Sequence, residues 1–213
     1  MMTLIHLGPS DVLCERPFTD LRHTQRDLQT LRFMATCTWM ALELPSDETA
    51  DHGRPFIQHQ PTPDNWTQRI FITQPERLRR HKPLTVVGFF GLKSARADVA
   101  LAQELDRQLL PELTAHAELL AYLSLCLPTG NFANLVLFAS PEGKDAWGQS
   151  ERHNLAVRLL TPDYYTAVRL YNGHLPGGVV ASETLRLSVV KYYDYSSRPL
   201  WRAMRPLVDG GAP

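Results

Sequence analysis

The chain has 213 residues, of which 44% are hydrophobic and 21% charged, and its 22 basic and 22 acidic residues leave no net charge. A chain this long and apolar buries a core without disulfides or metal, which sets aside a disordered polymer. Neutrality sets aside a dedicated nucleic-acid binder, which carries a basic face. The three cysteines form no CxxC pair and no zinc spacing, and so fit a reducing compartment. Cys37 and Cys126 sit in apolar stretches and read as buried, inert thiols. No basic leader and no membrane-length apolar run is visible, so a cytoplasmic location without membrane contact is expected.

In chain order, residues 19–31 have loose helical spacing through Leu21, Leu28 and Leu31. Residues 33–44 (FMATCTWMALEL) read as a strand stopped by Pro45. Residues 45–65 form a long proline-rich loop with His52 and His59 but no metal spacing. Residues 67–73 read as a second strand, and residues 74–82 as a short basic helix or turn. The segment LTVVGFFGL, residues 84–92, is an apolar strand. Ser94 then caps a helix with Val99, Ala102, Leu105, Leu109 and Leu113 on its apolar face, and Pro111 kinks or ends it. Residues 119–127 alternate at period two, turn residues follow, and residues 132–139 complete a hairpin.

Ser140-Pro141-Glu142 and Thr161-Pro162-Asp163 have the chemistry of helix starts: a capping hydroxyl, a proline and an acid. The first helix is expected to run to about Leu160, softened by Gly143 and Gly148. The second is expected to end at Asn172-Gly173. Residues 185–195 (LRLSVVKYYDY) form the last clear strand, with Tyr192 and Asp194 on one face and Lys191, Tyr193 and Tyr195 on the other. The tail beyond Ser196 reads as a surface appendage.

Strand, helix, strand, strand, helix, strand is the order of a ferredoxin-like α+β domain, whose antiparallel sheet carries helices on one face. The GFFG strand, the YLSLCLPTGNFANLVLF hairpin and a helix bearing Trp147, Ser150 and His153 carry a resemblance. They look like the dimeric α+β barrel superfamily with its antibiotic-biosynthesis monooxygenase-like domains. The resemblance divides the chain into an N-terminal extension (1–82) with two strands, a barrel domain (83–196) and a tail (197–213). It implies a homodimer, with a second sheet from a partner chain or from the N-terminal strands on the open face. The extension reads as a degenerate repeat element, a dimer arm or a lid.

The same resemblance implies a small-molecule monooxygenase acting on an aromatic or polycyclic substrate, either cofactor-free or with haem. His153 shares a helix face with Ala146, Ala156, Val157 and Leu160. It is a candidate acid/base or haem ligand, or else a buried histidine bonded to backbone or a tyrosine. No other metal site is expected. Trp147 and Tyr165 are candidate substrate contacts. On the expected helix, Tyr165, Arg169 and Asn172 fall on one stripe. Arg169 and Asn172 there orient substrate oxygens, or the Arg169 stem covers a tyrosine face. Tyr192 and Asp194 form a proton relay with His153, or serve packing and strand termination. The alternative to an enzyme is a non-catalytic barrel that binds a ligand or a protein partner.

Overall fold

A computed structural model describes residues 4–43, 53–61, 67–161 and 163–208. After a short first strand, β1 (Ile5–His6), a 23-residue helix, α1 (Leu21–Glu43), is the longest element. Its buried side chains Leu28, Leu31, Met34, Ala35, Thr38, Ala41 and Leu42 recur every three or four residues, so one helical period runs through the whole segment. Over residues 33–43, the strand expected at 33–44 is therefore the second half of this helix; Leu44 lies outside the described residues. Met, Ala and Leu are strong helix formers. The hydroxyls of Thr30, Thr36 and Thr38 bond back to carbonyls one turn earlier instead of competing with the helix.

The proline-rich segment contributes β2 (Phe56–Pro61), while His52 lies outside the described residues. Then follow β3 (Thr67–Ile72), α2 (Pro75–Arg80), β4 (Leu84–Lys93) and α3 (Val99–Ala115). The cap of α3 is Asp98 rather than Ser94: its carboxylate accepts from the backbone N–H of Leu101, and the helix runs through Pro111. The hairpin is β5 (Leu119–Cys126) and β6 (Phe132–Phe138).

Two helices, α4 (Pro141–Gly148) and α5 (Glu151–Leu160), stand where one was expected. The break falls after Gly148, where Ser150 starts a fresh cap by accepting from the His153 N–H at 3.1 Å. The helix expected from Thr161 is instead a strand, β7 (Tyr165–Leu175). The last strands are β8 (Arg186–Asp194) and β9 (Trp201–Pro206), so the tail read as an appendage is hydrogen-bonded to β8 and buries Arg205 completely.

All nine strands form one sheet, in the order β1-β9-β8-β7-β4-β6-β5-β3-β2, antiparallel except where β1 runs parallel to β9. This overturns the expectation of a small ferredoxin-like domain with an antiparallel sheet and helices on one face only. The hairpin and its neighbours are the middle of a sheet that continues through β8, β9 and β1 on one side and β3 and β2 on the other. The face expected to need a second sheet is covered by α1 of the same chain. Leu31 of α1 lies so close to β4 that a Cβ on Gly88 would meet its Cδ1 at 2.6 Å. The opposite face carries α3, α4 and α5, whose Leu113 and Trp147 pack on Phe71, Val136 and Phe138. Among the described residues, no helix is long and apolar enough to cross a membrane.

Candidate ligand cavity beneath α3 and α5

Between the sheet and the α3–α5 pair lies a cavity of about 160 Å³. Its helical side is Ala102, Leu105 and Leu109 from α3 and Ala156 and Leu160 from α5. These positions step by three and four along their helices, so each helix turns one apolar stripe to the space. The sheet side is Tyr122 and Ser124 of β5, Phe132 and Asn134 of β6, and the pair Tyr164-Tyr165 at the start of β7. Alternation along β5 and β6 puts Tyr122 with Ser124, and Phe132 with Asn134, on the helix-covered face.

Gly91 makes room for this wall. It faces the same side from β4, and a Cβ there would collide with the Tyr165 ring. Tyr165 packs edge-on against Phe89 and against Tyr164, with ring centres 5.2 and 4.7 Å apart. A second recess of about 410 Å³, lined by Leu105, Gln108, Leu109, Pro111, Arg152, Leu155 and Ala156, adjoins the cavity. Leu105, Leu109 and Ala156 line both, so the path outward runs between the two helices.

The polar groups gather on the floor. The Asn134 side-chain amide donates to the Tyr122 hydroxyl and, at 3.5 Å, to Ser124 Oγ. Arg69 of β3 donates to the same Ser124 oxygen at 3.4 Å. Tyr164 is only 2% exposed, and its hydroxyl is buried with no hydrogen-bond partner among the described residues. Burial, helped by nearby Cys126, pushes its pKa up to about 12, so the phenol keeps its proton.

One turn before Ala156, His153 faces inward at the edge of this layer. Its ring packs against Trp147, with centres 5.2 Å apart, and Trp147 in turn meets His116 edge-on. Burial lowers the His153 pKa, against a smaller opposing pull from Glu112. Glu112 accepts a hydrogen bond from the Ser150 hydroxyl, tying α3 to the start of α5. Trp147 is itself buried core.

The structure separates the other residues singled out in the sequence. In strand β7, Arg169 and Asn172 point to opposite faces of the sheet, so the helical stripe that joined them to Tyr165 does not exist. Arg169 faces α1 and donates to both Asp27 oxygens, at 2.6 and 3.0 Å; Tyr171 donates to the same carboxylate at 2.8 Å. Asp27, which nothing in the sequence marked, is thus the anchor of α1 on the sheet. Its signal was a carboxylate on the apolar stripe of a helix, one residue before Leu28.

Tyr192 and Asp194 also face α1's side, through the full thickness of the sheet from His153. The Tyr192 hydroxyl accepts from fully buried Arg205 at 3.1 Å. Asp194 ends β8: although burial would raise its pKa, hydrogen bonds from Ser196 and Ser197 hold it below the usual carboxylate value. Of the cavity's own polar residues, Tyr122, Ser124 and Asn134 were not singled out, and Tyr164 entered only as the neighbour of Tyr165 on a helix that is a strand. Only the alternation of the hairpin foretold which of them share a face.

No protein-family model matches the chain, and no curated protein or solved structure matches it either. A porphyrin does not fit the cavity, which has room for a single ring, and the histidine offered as its axial ligand packs on Trp147 outside the lining. Among the described residues, no group of three or more His, Cys, Asp or Glu is placed to hold a metal ion.

Proposed function

We propose that the protein is a binding module for a small, single-ring aromatic ligand held between the sheet and the α3–α5 pair. The observation that carries this reading is the cavity of about 160 Å³, walled by leucine, alanine and aromatic rings. Engineered apolar cavities of roughly 150 Å³ take benzene. Unlike those, this one has an outward path and polar groups on one side only, the arrangement of a small-molecule site. Binding is favoured over monooxygenase-like turnover by the groups that reach the ligand. A cofactor-free oxygenase needs a base in contact with its substrate, and Tyr164 is held protonated while His153 stands one helical turn outside the lining.

Thermal unfolding with and without ethylbenzene tests the reading. A ligand at ten times its dissociation constant stabilises the folded state by about 1.4 kcal/mol, so the wild-type midpoint rises in a saturable manner. Ala156→Phe, which fills the cavity, abolishes the rise. An unmoved wild-type midpoint, or an equal rise in the Ala156→Phe protein, contradicts the reading.

A further inference from the structure

The cavity is not uniformly apolar, and the placement of its hydroxyls says what the ligand must carry. Tyr164 lies in the wall with its hydroxyl sealed from solvent and unpartnered among the described residues. An unmet buried hydroxyl is costly, and native structures rarely keep one without a use. On the floor, Ser124 Oγ already accepts from Asn134 and Arg69. A hydroxyl that accepts retains its own hydrogen to donate. Donation is therefore what the two share: it is all that Ser124 has left to offer, and the unpartnered Tyr164 hydroxyl can donate as well as accept.

We infer that the ligand is a neutral aromatic carbonyl compound, whose ring fills the space beneath Leu105, Leu109 and Ala156 and whose oxygen accepts from Tyr164 and Ser124. Neutrality follows from the lining, which includes no lysine or arginine: Arg69 donates to Ser124 and lies over the Tyr122 ring, but is not itself part of the wall. A carboxylate placed there would be desolvated without a paired cation, at far greater cost than a carbonyl. This inference rests on the proposed binding function and adds the chemical class of the ligand.

Two probes of the same shape separate the claims: acetophenone, and α-methylstyrene, which has a CH₂ group where acetophenone has its oxygen. Their dissociation constants are measured by calorimetry on the wild type, Tyr164→Phe and Ser124→Ala. Comparing each variant with wild type removes the difference in how water solvates the two probes. One neutral hydrogen bond corresponds to about a threefold to tenfold change in affinity. Tyr164→Phe is expected to weaken acetophenone by that factor and to leave α-methylstyrene unchanged or slightly tighter. Ser124→Ala is expected to act in the same direction. If both probes bind and neither variant changes their ratio, the carbonyl inference is overturned while the cavity remains a binding site. If neither probe binds wild type, the binding function itself fails, and the inference falls with it.

Discussion

A phenol without a hydrogen-bond partner among the described residues and a carboxylate that accepts three hydrogen bonds from two side chains are the two informative residues of this molecule. Removing the Tyr164 hydroxyl takes away a buried polar group that the folded protein leaves unsatisfied, so Tyr164→Phe should raise stability by about 1 kcal/mol in urea unfolding. A loss of similar size would show that the hydroxyl is already bonded. Asp27 is the reverse case. It holds Arg169 and Tyr171 in the dry layer under α1, and Asp27→Ala leaves a guanidinium buried without its counter-charge. Breaking one half of such a pair costs about 3–5 kcal/mol. Replacing both at once, Asp27→Leu with Arg169→Met, should recover much of that loss. An additive double variant would refute the pairing.

His153 gives the residue scale a pH signature. Burial holds its pKa in the folded protein below the ordinary 6.5. As pH falls through 6.5 the unfolded chain takes up that proton first, so stability is lost going down from there until the folded histidine also protonates. His153→Gln should therefore flatten part of the fall in melting temperature between neutral and mildly acidic pH. An identical profile in the variant would show a solvated imidazole. Half-buried His23, whose pKa is lowered by that burial and by Arg169, titrates in the same direction and remains in the variant as the residual slope.

At the scale of elements, the chain was legible where period and burial agree. Strand β4, the β5–β6 hairpin and α3 have an apolar face at one unambiguous spacing, and they stand close to where the sequence put them. The failures have physical causes. The FMATCTWMALEL stretch has the aromatic and threonine content of a strand, yet its apolar residues continue the Leu28–Leu31 helical stripe. About three amphipathic turns of helix on a sheet outweigh local composition. YYTAVRLYNG is the converse. Arg169 and Tyr171, two apart, both reach Asp27 only from a strand, and that long-range partner was invisible in the sequence. Gly91→Ala bears on the same scale. Its methyl group would displace the Tyr165 ring toward the cavity, which should lower ligand affinity more than the same change at Gly148, where a Cβ meets nothing within 4 Å. Equal affinities in the two variants would detach Tyr165 from the site.

For the whole molecule, one nine-stranded sheet with helices on both faces replaces the expected barrel because the N-terminal part of the chain joins the core. Helix α1 seals one face with a close, largely apolar contact that holds the buried Asp27–Arg169 ion pair near its start. The α3–α5 pair covers the other face only over β3 to β7. On that side β8 and β9 present Lys191, Tyr193, Arg202 and Met204, all half-buried. The two layers also differ in the space they enclose, though among the described residues both hold buried polar atoms without a partner, Arg205 Nε and the Gln68 amide on the α1 side and the Tyr164 hydroxyl on the other. Under α1 the buried Arg169, Tyr171, Tyr192 and Arg205 find partners across elements. Under α3 and α5 there is space, an unmet phenol, and a helix whose Leu155 and Leu159 remain exposed. Packing is close where the molecule is held together and open where a ligand is proposed to enter. None of this contrast was readable in the hydropathy pattern, because α1 and α5 both present an amphipathic stripe.

The central claim is that this space is a binding site, and its location is what a titration must establish. Amide and methyl resonances of the isotope-labelled protein, followed while acetophenone is added, answer it most directly. The account predicts saturable shifts centred on Leu105, Leu109, Ala156 and Leu160, with weaker ones at Tyr164 and Ser124. The absence of saturable shifts, or shifts centred on Tyr193 and Met204 beyond the helices, would contradict it.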